Sequence, residues 1–317
     1  MAVPTTPCGA PGPVGVVGLG DMGGAIARSL LERGYEVIGY DPSPAMVELF
    51  QQAGGRAVSQ VGDVVADPGI VITCLPTTDS LLVQTLDPDE GLLSGTDAAD
   101  GALVIEMSTF ELDVKTRARA KVEEHGGVML DCPISGTAHQ AADRDLVVFA
   151  SGDSQAISNS LPVFDAFSRK VIDVGDFGDG SKAKYLANLL VGIHNAAAGE
   201  ALTLATKSGM DPAKAFEALV AGAGSSRMLE VRGPFMLEGD YREGSSGGRT
   251  YAKDRGIIGQ FARDNICPVP LFQIASQLHD AAIAQGFDNH DSAAVCAASL
   301  SLAGLEAGPL TRDSSAG

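Results

Sequence analysis

Cysteine is scarce in this chain, and its residues are too widely spaced to suggest a structural role. The five cysteines form no C-x-x-C pair: Cys8, Cys74, Cys132, Cys267 and Cys296. A disulfide framework or a cysteine zinc site would need closer or more regular spacing. The five histidines likewise show no H-E-x-x-H or other metal-ligand spacing. We therefore expect no metal site.

Basic residues are also few. The chain has 22 lysines and arginines against 40 acidic residues, a formal net charge of -18, and its basic residues are dispersed. Nucleic-acid binding would need a basic patch. Residues 1–13 carry no positive or apolar targeting segment, and no later run of about 18 apolar residues could cross a membrane. We expect a cytoplasmic protein without nucleic-acid or membrane partners, and disordered tails at 1–13 and 307–317.

The chain is long enough for two domains, with 317 residues of which 45% are hydrophobic,. Short β-rich apolar runs alternate with amphipathic stretches over 14–177, which is typical of βαβ units on a mostly parallel sheet. Strands are expected at 14–17, 36–40, 70–75, 103–107, 128–131, 146–150 and 171–174. The fold class is therefore α/β, with a Rossmann domain at 14–177.

The pattern becomes purely helical over 178–306. Residues 181–209 form one 3.6-periodic run that ends at a glycine, which predicts a single long helix entering an all-α domain. Further helices are expected at 211–221, 251–265, 270–285 and 291–305. This second domain would hold the substrate and form subunit contacts.

A glycine motif follows the first predicted strand. Gly18, Gly20 and Gly23 have G-x-G-x-x-G spacing, which permits a tight turn, close approach of a pyrophosphate, and close helix-to-strand packing. The N-terminus of the following helix attracts phosphate through its unpaired N–H groups and its dipole. The motif predicts a dinucleotide site whose residues are Gly18, Leu19, Gly20, Asp21 and Met22.

Asp41 stands at the end of the second predicted strand, where an acidic residue binds the adenosine ribose in this kind of site. Its charge would repel the 2′-phosphate of NADP, and no arginine occurs in the following Pro42-Ser43-Pro44. These features predict NAD rather than NADP as the cofactor. The alternative is that Asp41 is only the turn residue of an Asp-Pro pair.

Four further segments are characteristic. They are C-L-P at 74–76, M-S-T at 107–109, D-C-P-I-S-G at 131–136 and G-D-G-S-K-A-K-Y-L-A-N at 178–188. With K-D at 253–254 and D-S-A at 291–293, they resemble the β-hydroxyacid dehydrogenase family. That family includes 3-hydroxyisobutyrate, tartronate semialdehyde and L-threonate dehydrogenases. The resemblance covers nearly all of residues 14–302.

The resemblance implies a role for each matching residue. Lys184 would be the general acid/base, and Asn188 would orient the substrate hydroxyl. Ser135 and Gly136 would hold the substrate carboxylate, with Thr137 beside them. Additional cofactor contacts are implied at Leu75, Pro76, Thr109 and Lys253.

The spacing of these residues agrees with the implied roles. Lys184 and Asn188 are four residues apart and so share one helix face, and Asn195 lies within about 20° of the same line. Lys182 lies about 200° around the helix from Lys184, so both cannot face one ligand. The family spacing selects Lys184. A buried lysine beside the positive nicotinamide ring would have a lowered pKa, as a base working near neutral pH requires.

Three positions depart from the family pattern. Thr137 replaces the second glycine of Ser-Gly-Gly, Ala187 replaces an asparagine, and Arg144 replaces a glycine. We expect Thr137 and Arg144 to reshape the pocket near the carboxylate, with Thr137 offering a hydroxyl donor. Arg227, in the segment 222–228, is either a substrate contact or a surface residue.

These observations predict reversible hydride transfer between NAD and a small 3-hydroxy or 2,3-dihydroxy carboxylic acid. Imine reduction on the same scaffold is an alternative, although those relatives usually lack the lysine. A non-catalytic NAD-binding module is another. Small residues on the long helix also predict a homodimer or homotetramer formed through the helical domains. They are Ala196, Ala197, Ala198, Gly199 and Ala201.

Overall fold

A computed structural model describes residues 12–65, 69–86, 91–93, 102–242 and 247–310. The chain forms two compact units, Met1–Lys184 and Tyr185–Gly317. Most of the two predicted tails, residues 1–11 and 311–317, lies outside the described residues. The domain boundary expected at residue 178 stays a prediction.

The first unit is built on a six-stranded sheet in which every pairing is parallel, with the order β3-β2-β1-β4-β5-β6. Because β1 lies between β2 and β4, the strand order reverses beside it. Ligands of open α/β sheets bind at such a point, outside the carboxyl ends of the strands. The strands are β1 (Val14–Val17), β2 (Val37–Tyr40), β3 (Arg56–Ala57), β4 (Ile70–Thr73), β5 (Leu103–Glu106) and β6 (Val128–Asp131).

Both faces of this sheet are covered, since successive strand residues pack into different hydrophobic clusters. Val16 and Ile72 join one cluster, whereas Val17 and Val71 join the other. This arrangement explains why the strands appear in the sequence as continuous apolar runs. The helices of this unit are α1 (Asp21–Glu32), α2 (Pro44–Gln52), α3 (Thr78–Leu86), α4 (Leu112–Glu124), α5 (Ala138–Ala142) and α6 (Ser154–Phe164).

Two of the predicted strands belong to a second, smaller sheet. It has the order β7-β8-β9, formed by β7 (Ile134–Ser135), β8 (Leu146–Ala150) and β9 (Ser168–Asp173). β7 and β8 are antiparallel, whereas β8 and β9 are parallel. The sequence analysis placed β8 and β9 in one doubly wound domain, but it missed β7 and β3. Each of these two strands has only two residues, too few to show a period.

A single helix, α7 (Asp179–Lys207), contains the division between the two units. The long helix predicted at 181–209 is therefore confirmed, and both of its ends lie two residues earlier than predicted. Among the described residues of the second unit no strand occurs. Its other helices are α8 (Pro212–Ala221), α9 (Arg227–Glu238), α10 (Gly247–Asp264), α11 (Pro270–Ala282) and α12 (Val295–Leu302).

Helix α9 was not predicted. Its start is marked by Ser226, whose hydroxyl accepts a hydrogen bond from the Leu229 N–H at 3.1 Å. Gly233 and Pro234 in its interior hide the helical pattern, because both residues disfavour helix. α11 is shorter than predicted and continues into a π-helical turn at Ile283–Phe287, while α12 follows a 3₁₀ turn at Ser292–Ala294.

Three of the small residues of α7, Ala196, Ala198 and Gly199, pack inside the second unit. Ala196 and Ala198 are buried in its hydrophobic cluster together with Cys296. A Cβ on Gly199 would lie 3.1 Å from the Cα of Cys296. Ala196, Ala198 and Gly199 are therefore buried inside this unit, whereas Ala197 is exposed and Ala201 is partly exposed. The subunit interface expected along α7 stays a prediction. Along the described ranges, no helix combines the length and apolarity that a membrane crossing requires.

Candidate cofactor and catalytic site

The glycine loop connects β1 to α1 at the carboxyl edge of the parallel sheet. Gly18 has a φ of 91°, and a Cβ there would overlap the carbonyl oxygen of Cys74. A Cβ on Gly23 would overlap the carbonyl oxygen of Gly18. Gly18 and Gly23 are thus required by the turn and by the helix packing, as the motif predicts.

Gly20 differs from its neighbours because nothing in the described structure lies within 4 Å of where its Cβ would be. It precedes α1 as N-cap, and no side chain bonds to that cap. There is therefore open space beside Gly20 at the N-terminus of α1, and we call this space the cradle. Such a helix N-terminus is suited to a phosphate, so these residues fit the pyrophosphate of a dinucleotide.

Asp41 follows β2 and is tied to the glycine loop. Its Oδ2 accepts a hydrogen bond from the Leu19 N–H at 2.8 Å, and its Oδ1 accepts one from the Ser43 N–H at 2.8 Å. The second contact is that of a turn residue, whereas the first places the carboxylate directly beside the glycine loop. The two sequence interpretations of Asp41, ribose contact and turn residue, are therefore compatible.

The C-L-P and M-S-T segments meet at the ends of β4 and β5. The Leu75 N–H donates a hydrogen bond to Ser108 Oγ at 2.8 Å. Pro76 is exposed, and Leu75 and Thr109 are partly exposed. Three predicted cofactor residues thus lie at the carboxyl edge of the sheet that carries the glycine loop.

The predicted carboxylate-binding residues lie at the start of the small sheet. Ser135 is the last residue of β7, and Gly136 and Thr137 are exposed. Thr137 begins α5 with a reciprocal capping box: its N–H donates to Gln140 Oε1 at 3.0 Å, and its Oγ1 accepts from the Gln140 N–H at 3.4 Å. The Thr137 hydroxyl therefore has a local structural role.

Arg144 does not line the carboxylate loop. Its backbone is left-handed, with a φ of 56°, which explains why glycine suits this position,. Its guanidinium donates to the Asp165 carbonyl oxygen from Nε at 2.9 Å and from Nη2 at 2.6 Å. The expectation that Arg144 reshapes the pocket is corrected by these contacts, which direct the side chain to the connection after α6.

The first turn of α7 is attached to β6. Asp131, at the end of β6, is fully buried and accepts hydrogen bonds from the Ser181 N–H at 2.7 Å and from Ser181 Oγ at 2.9 Å. Ser151 Oγ accepts from the Gly180 N–H at 2.9 Å. The first turn of α7 is therefore held at the carboxyl edge of the sheet through Ser181, three residues before Lys184.

Lys182 and Lys184 occupy different surroundings. Lys182 is exposed and forms a 2.8 Å ion pair with Asp179, one turn earlier on the same helix. Lys184 is only partly exposed. This difference agrees with the selection of Lys184 from the family spacing.

Asn188 lies one turn after Lys184 on α7 and is buried in the second unit. Its Nδ2 donates to Asp254 Oδ2 at 2.7 Å, and its carbonyl oxygen accepts from the Tyr251 hydroxyl at 2.9 Å. Asp254 also pairs with Lys253 Nζ at 3.3 Å. The K-D segment of α10 thus holds the asparagine that the resemblance assigns to the substrate hydroxyl.

A buried histidine, His279, packs against Tyr251, the residue that donates to the Asn188 carbonyl oxygen. His279 Nε2 lies 3.4 Å from the Gly192 carbonyl oxygen, and its ring contacts that of Tyr251 at a centroid distance of 5.0 Å. Burial lowers the pKa of His279 to about 4. The ring is therefore uncharged at neutral pH and packs beneath Tyr251.

The structure also shows the surroundings of two further residues that the sequence analysis singled out, Asn195 and Arg227. Asn195 is fully buried, and its Nδ2 donates to Ser292 Oγ at 3.0 Å, which links α7 to the D-S-A segment. Arg227 is exposed and pairs with Glu230 at 3.4 Å, as expected for a surface arginine. Among the described residues, no group of three or more His, Cys, Asp or Glu could hold a metal ion.

Comparisons with known proteins match most of the length of the chain. The family described as the NAD binding domain of 6-phosphogluconate dehydrogenase matches residues 13–175. The family described as NAD-binding of NADP-dependent 3-hydroxyisobutyrate dehydrogenase matches residues 178–299. Together they cover both units of the chain.

Individual relatives are similar over nearly their full length. An L-threonate dehydrogenase of Cupriavidus necator is 34% identical, with 89% of this chain and 94% of that protein covered. An NAD-dependent L-serine dehydrogenase of Pseudomonas aeruginosa is 30% identical, with 89% and 96% covered. A solved 3-hydroxyisobutyrate dehydrogenase from Salmonella typhimurium has a TM-score of 0.78 at 29% identity, with 90% and 98% covered.

Proposed function

The chain belongs to the β-hydroxyacid dehydrogenase family, and from this premise we propose that it oxidises a small 3-hydroxy or 2,3-dihydroxy carboxylic acid with NAD. The observation that carries the proposal is the position of α7. The first turn of this helix is held through Ser181 at the carboxyl edge of the parallel sheet, which also carries the glycine loop, and Lys184 follows three residues later. Lys184 and Asn188 then share one face of the helix.

Each residue has a defined task in the proposed reaction. Bound NAD supplies the hydride acceptor. Lys184 Nζ takes the proton from the substrate hydroxyl as the carbonyl forms, and returns it in the reverse direction. The Asn188 amide orients the hydroxyl, and its own orientation is held by Asp254. Ser135 and Gly136 bind the carboxylate.

The substrate class follows from what the relatives' names share. L-serine, L-threonate and 3-hydroxyisobutyrate all carry a hydroxyl group on the carbon β to a carboxylate. In the loop proposed to bind the carboxylate, Thr137 replaces the family's second glycine and forms the capping box of α5.

NADH formation with a panel of three- and four-carbon 3-hydroxy acids, sugar acids and one aryl 3-hydroxy acid tests the proposal. Turnover of a cyclic imine alone would favour imine reduction instead.

Asp41→Ala is expected to narrow the preference for NAD over NADP. A charge-assisted hydrogen bond to the ribose contributes about 1 to 3 kcal/mol, or about 5- to 150-fold in affinity. The measurement is the ratio of kcat/KM with NAD to that with NADP.

Asp173→Ala provides the matched control. Asp173 Oδ1 accepts from the Gly175 N–H at 3.1 Å, the same local contact that Asp41 makes with Ser43. This control should keep the wild-type ratio. An equal ratio in all three proteins would show that Asp41 is only a turn residue.

We also propose a homodimer or homotetramer formed through the second unit. Six large apolar side chains of this unit are more than half exposed: Leu186, Leu204, Ile266, Leu271, Ile274 and Leu302. Leu204 and Leu302 line one open groove. Exposed apolar surface of this kind is characteristic of an interface.

Light scattering at micromolar concentration is expected to give twice or four times the mass of one chain. Leu204→Glu combined with Leu302→Glu should shift the mass to that of one chain. Leu161→Glu, at an exposed apolar position on α6 in the first unit, should leave it unchanged. A single-chain mass for the wild type would reject the assembly.

A further inference from the structure

Lys115 is a fully buried lysine of α4 that the sequence analysis did not single out. Its Nζ lies 2.5 Å from Glu106 Oε2 and 2.7 Å from Asp131 Oδ1, and it donates a hydrogen bond to the Ser108 carbonyl oxygen at 2.7 Å. The ammonium group thus lies against two carboxyl groups and one carbonyl oxygen, which is enough partners for its three donors,. A buried charge is costly unless it is paired and hydrogen-bonded, so this arrangement is specific.

Each partner of Lys115 holds a different segment of the candidate site. Ser108, through its Oγ, accepts from the Leu75 N–H, and Glu106 Oε1 accepts from the Ser108 N–H at 2.8 Å. Asp131 accepts two hydrogen bonds from Ser181 in the first turn of α7. One ammonium group therefore connects the C-L-P segment, the M-S-T segment and the start of the helix that carries Lys184.

We propose that Lys115 is a positioning residue for Lys184. It neutralises one of two buried carboxylates, so that Asp131 remains an acceptor for Ser181 and the first turn of α7 stays attached to the sheet. The role concerns the position of Lys184 and so rests on the proposed function. Lys115 itself contacts neither substrate nor cofactor in this assignment.

The electrostatics of the cluster agree with this role. Burial acts to lower the pKa of Lys115, but the charges of Asp131 and Glu106 outweigh it and raise that pKa above its usual value. Burial raises the pKa of Glu106, and Lys115 opposes that rise. The neighbouring Cys132 thiol has a pKa raised by burial and stays neutral. Lys115 is therefore the cation of the cluster, and the carboxyl groups of Glu106 and Asp131 lie against it.

Removal of the cation leaves two buried carboxylates facing each other. We expect a proton to go to Glu106, because both oxygens of Asp131 are already engaged by the donors of Ser181 and Ser151. At rising pH this proton is lost, and the repulsion between the two anions loosens the contact with α7. A Lys115→Met variant should therefore lose activity progressively as the pH rises.

The test compares three variants with the wild type between about pH 6 and about pH 9, where a buried carboxyl group titrates. In Lys115→Met, kcat should fall about 10- to 100-fold, as expected for displaced catalytic groups, and fall further with rising pH. Lys115→Met with Glu106→Gln should recover most of kcat and lose that pH dependence. Lys115→Met with Asp131→Asn should stay impaired.

The two double variants are matched, because each lacks the lysine and one carboxylate. Only the first retains both carboxylate oxygens that accept from the N–H and the hydroxyl of Ser181. Their comparison remains decisive if Lys115→Met alone does not fold. Lys121→Met is the control on α4, since Lys121 forms only an exposed pair with Glu124 at 3.1 Å. It should match the wild type.

Amide hydrogen exchange at residues 180–184 provides a readout that needs no turnover. Exchange there should rise in Lys115→Met and in the Asp131 double variant, and return toward the wild-type rate in the Glu106 double variant. Equal kcat and equal exchange in the two double variants would overturn the proposal, as would wild-type kcat in folded Lys115→Met. A wild type that turns over no acid would refute the proposed function, while the exchange data would still decide the role of Lys115.

Discussion

Replacing Lys184 by methionine is expected to lower kcat by about 10² to 10⁴, the contribution of a positioned general acid/base. Lys184 lies on the first turns of α7, which Asp131 anchors through Ser181. Methionine keeps most of the apolar stem, so the loss would report the missing ammonium group. NADH affinity, measured by fluorescence titration, should change little.

Lys182→Met is the control for this variant. Its side chain is exposed, and the pair that it forms with Asp179 is a surface ion pair, which contributes little to stability,. Its kcat should match the wild type. An inactive Lys182→Met beside an active Lys184→Met would show that the family register is wrong by half a turn. Should wild type and both variants bind NADH and turn over nothing, the chain would be a non-catalytic NAD-binding module.

Gly20→Ala is expected to weaken NAD binding, whereas Gly23→Ala is expected to lower the stability of the fold. At Gly20 the protein leaves room for a Cβ, so stability should hardly change. The added methyl group would occupy the cradle for the pyrophosphate, and a steric cost of about 1 to 3 kcal/mol would weaken NAD binding about 5- to 150-fold. Calorimetric titration with NAD measures this loss.

At Gly23 the same methyl group would overlap the carbonyl oxygen of Gly18 inside the protein. We expect a loss of about 3 kcal/mol or more in the free energy of unfolding, or about 6 to 12 °C in melting temperature. Thermal unfolding without cofactor measures it. If Gly20→Ala lowered the melting temperature as much as Gly23→Ala, or bound NAD like the wild type, the cradle would not be the pyrophosphate site.

Much of the first unit could be predicted because its signals are local. The apolar run of β1, the glycine spacing and the following helix all lie within about twenty consecutive residues, and each restricts its own backbone. The small sheet could not be predicted in the same way. β7 has two residues, and its antiparallel pairing with β8 depends on α5, which lies between the two strands.

The same distinction applies to the candidate site: features set by neighbouring residues could be predicted, and contacts between distant residues could not. Spacing alone places Lys184 and Asn188 on one helix face, since helical periodicity relates residues four apart. It does not show that Asp254 orients the Asn188 amide, because these residues are 66 positions apart. Nor does it separate Arg144, which binds the Asp165 carbonyl, from an arginine that lines a pocket.

The sequence by itself determined the class of the two domains, the glycine loop and the long helix with its polar face, because each is set by residues close in the chain. Only the tertiary structure decided which polar groups are buried together. Lys115 looks like an ordinary surface lysine of an amphipathic helix until β5 and β6 bring Glu106 and Asp131 to within 2.5 Å and 2.7 Å of its Nζ. Such contacts join residues that are distant in the chain, and a buried charge is stable only where folding supplies its partners.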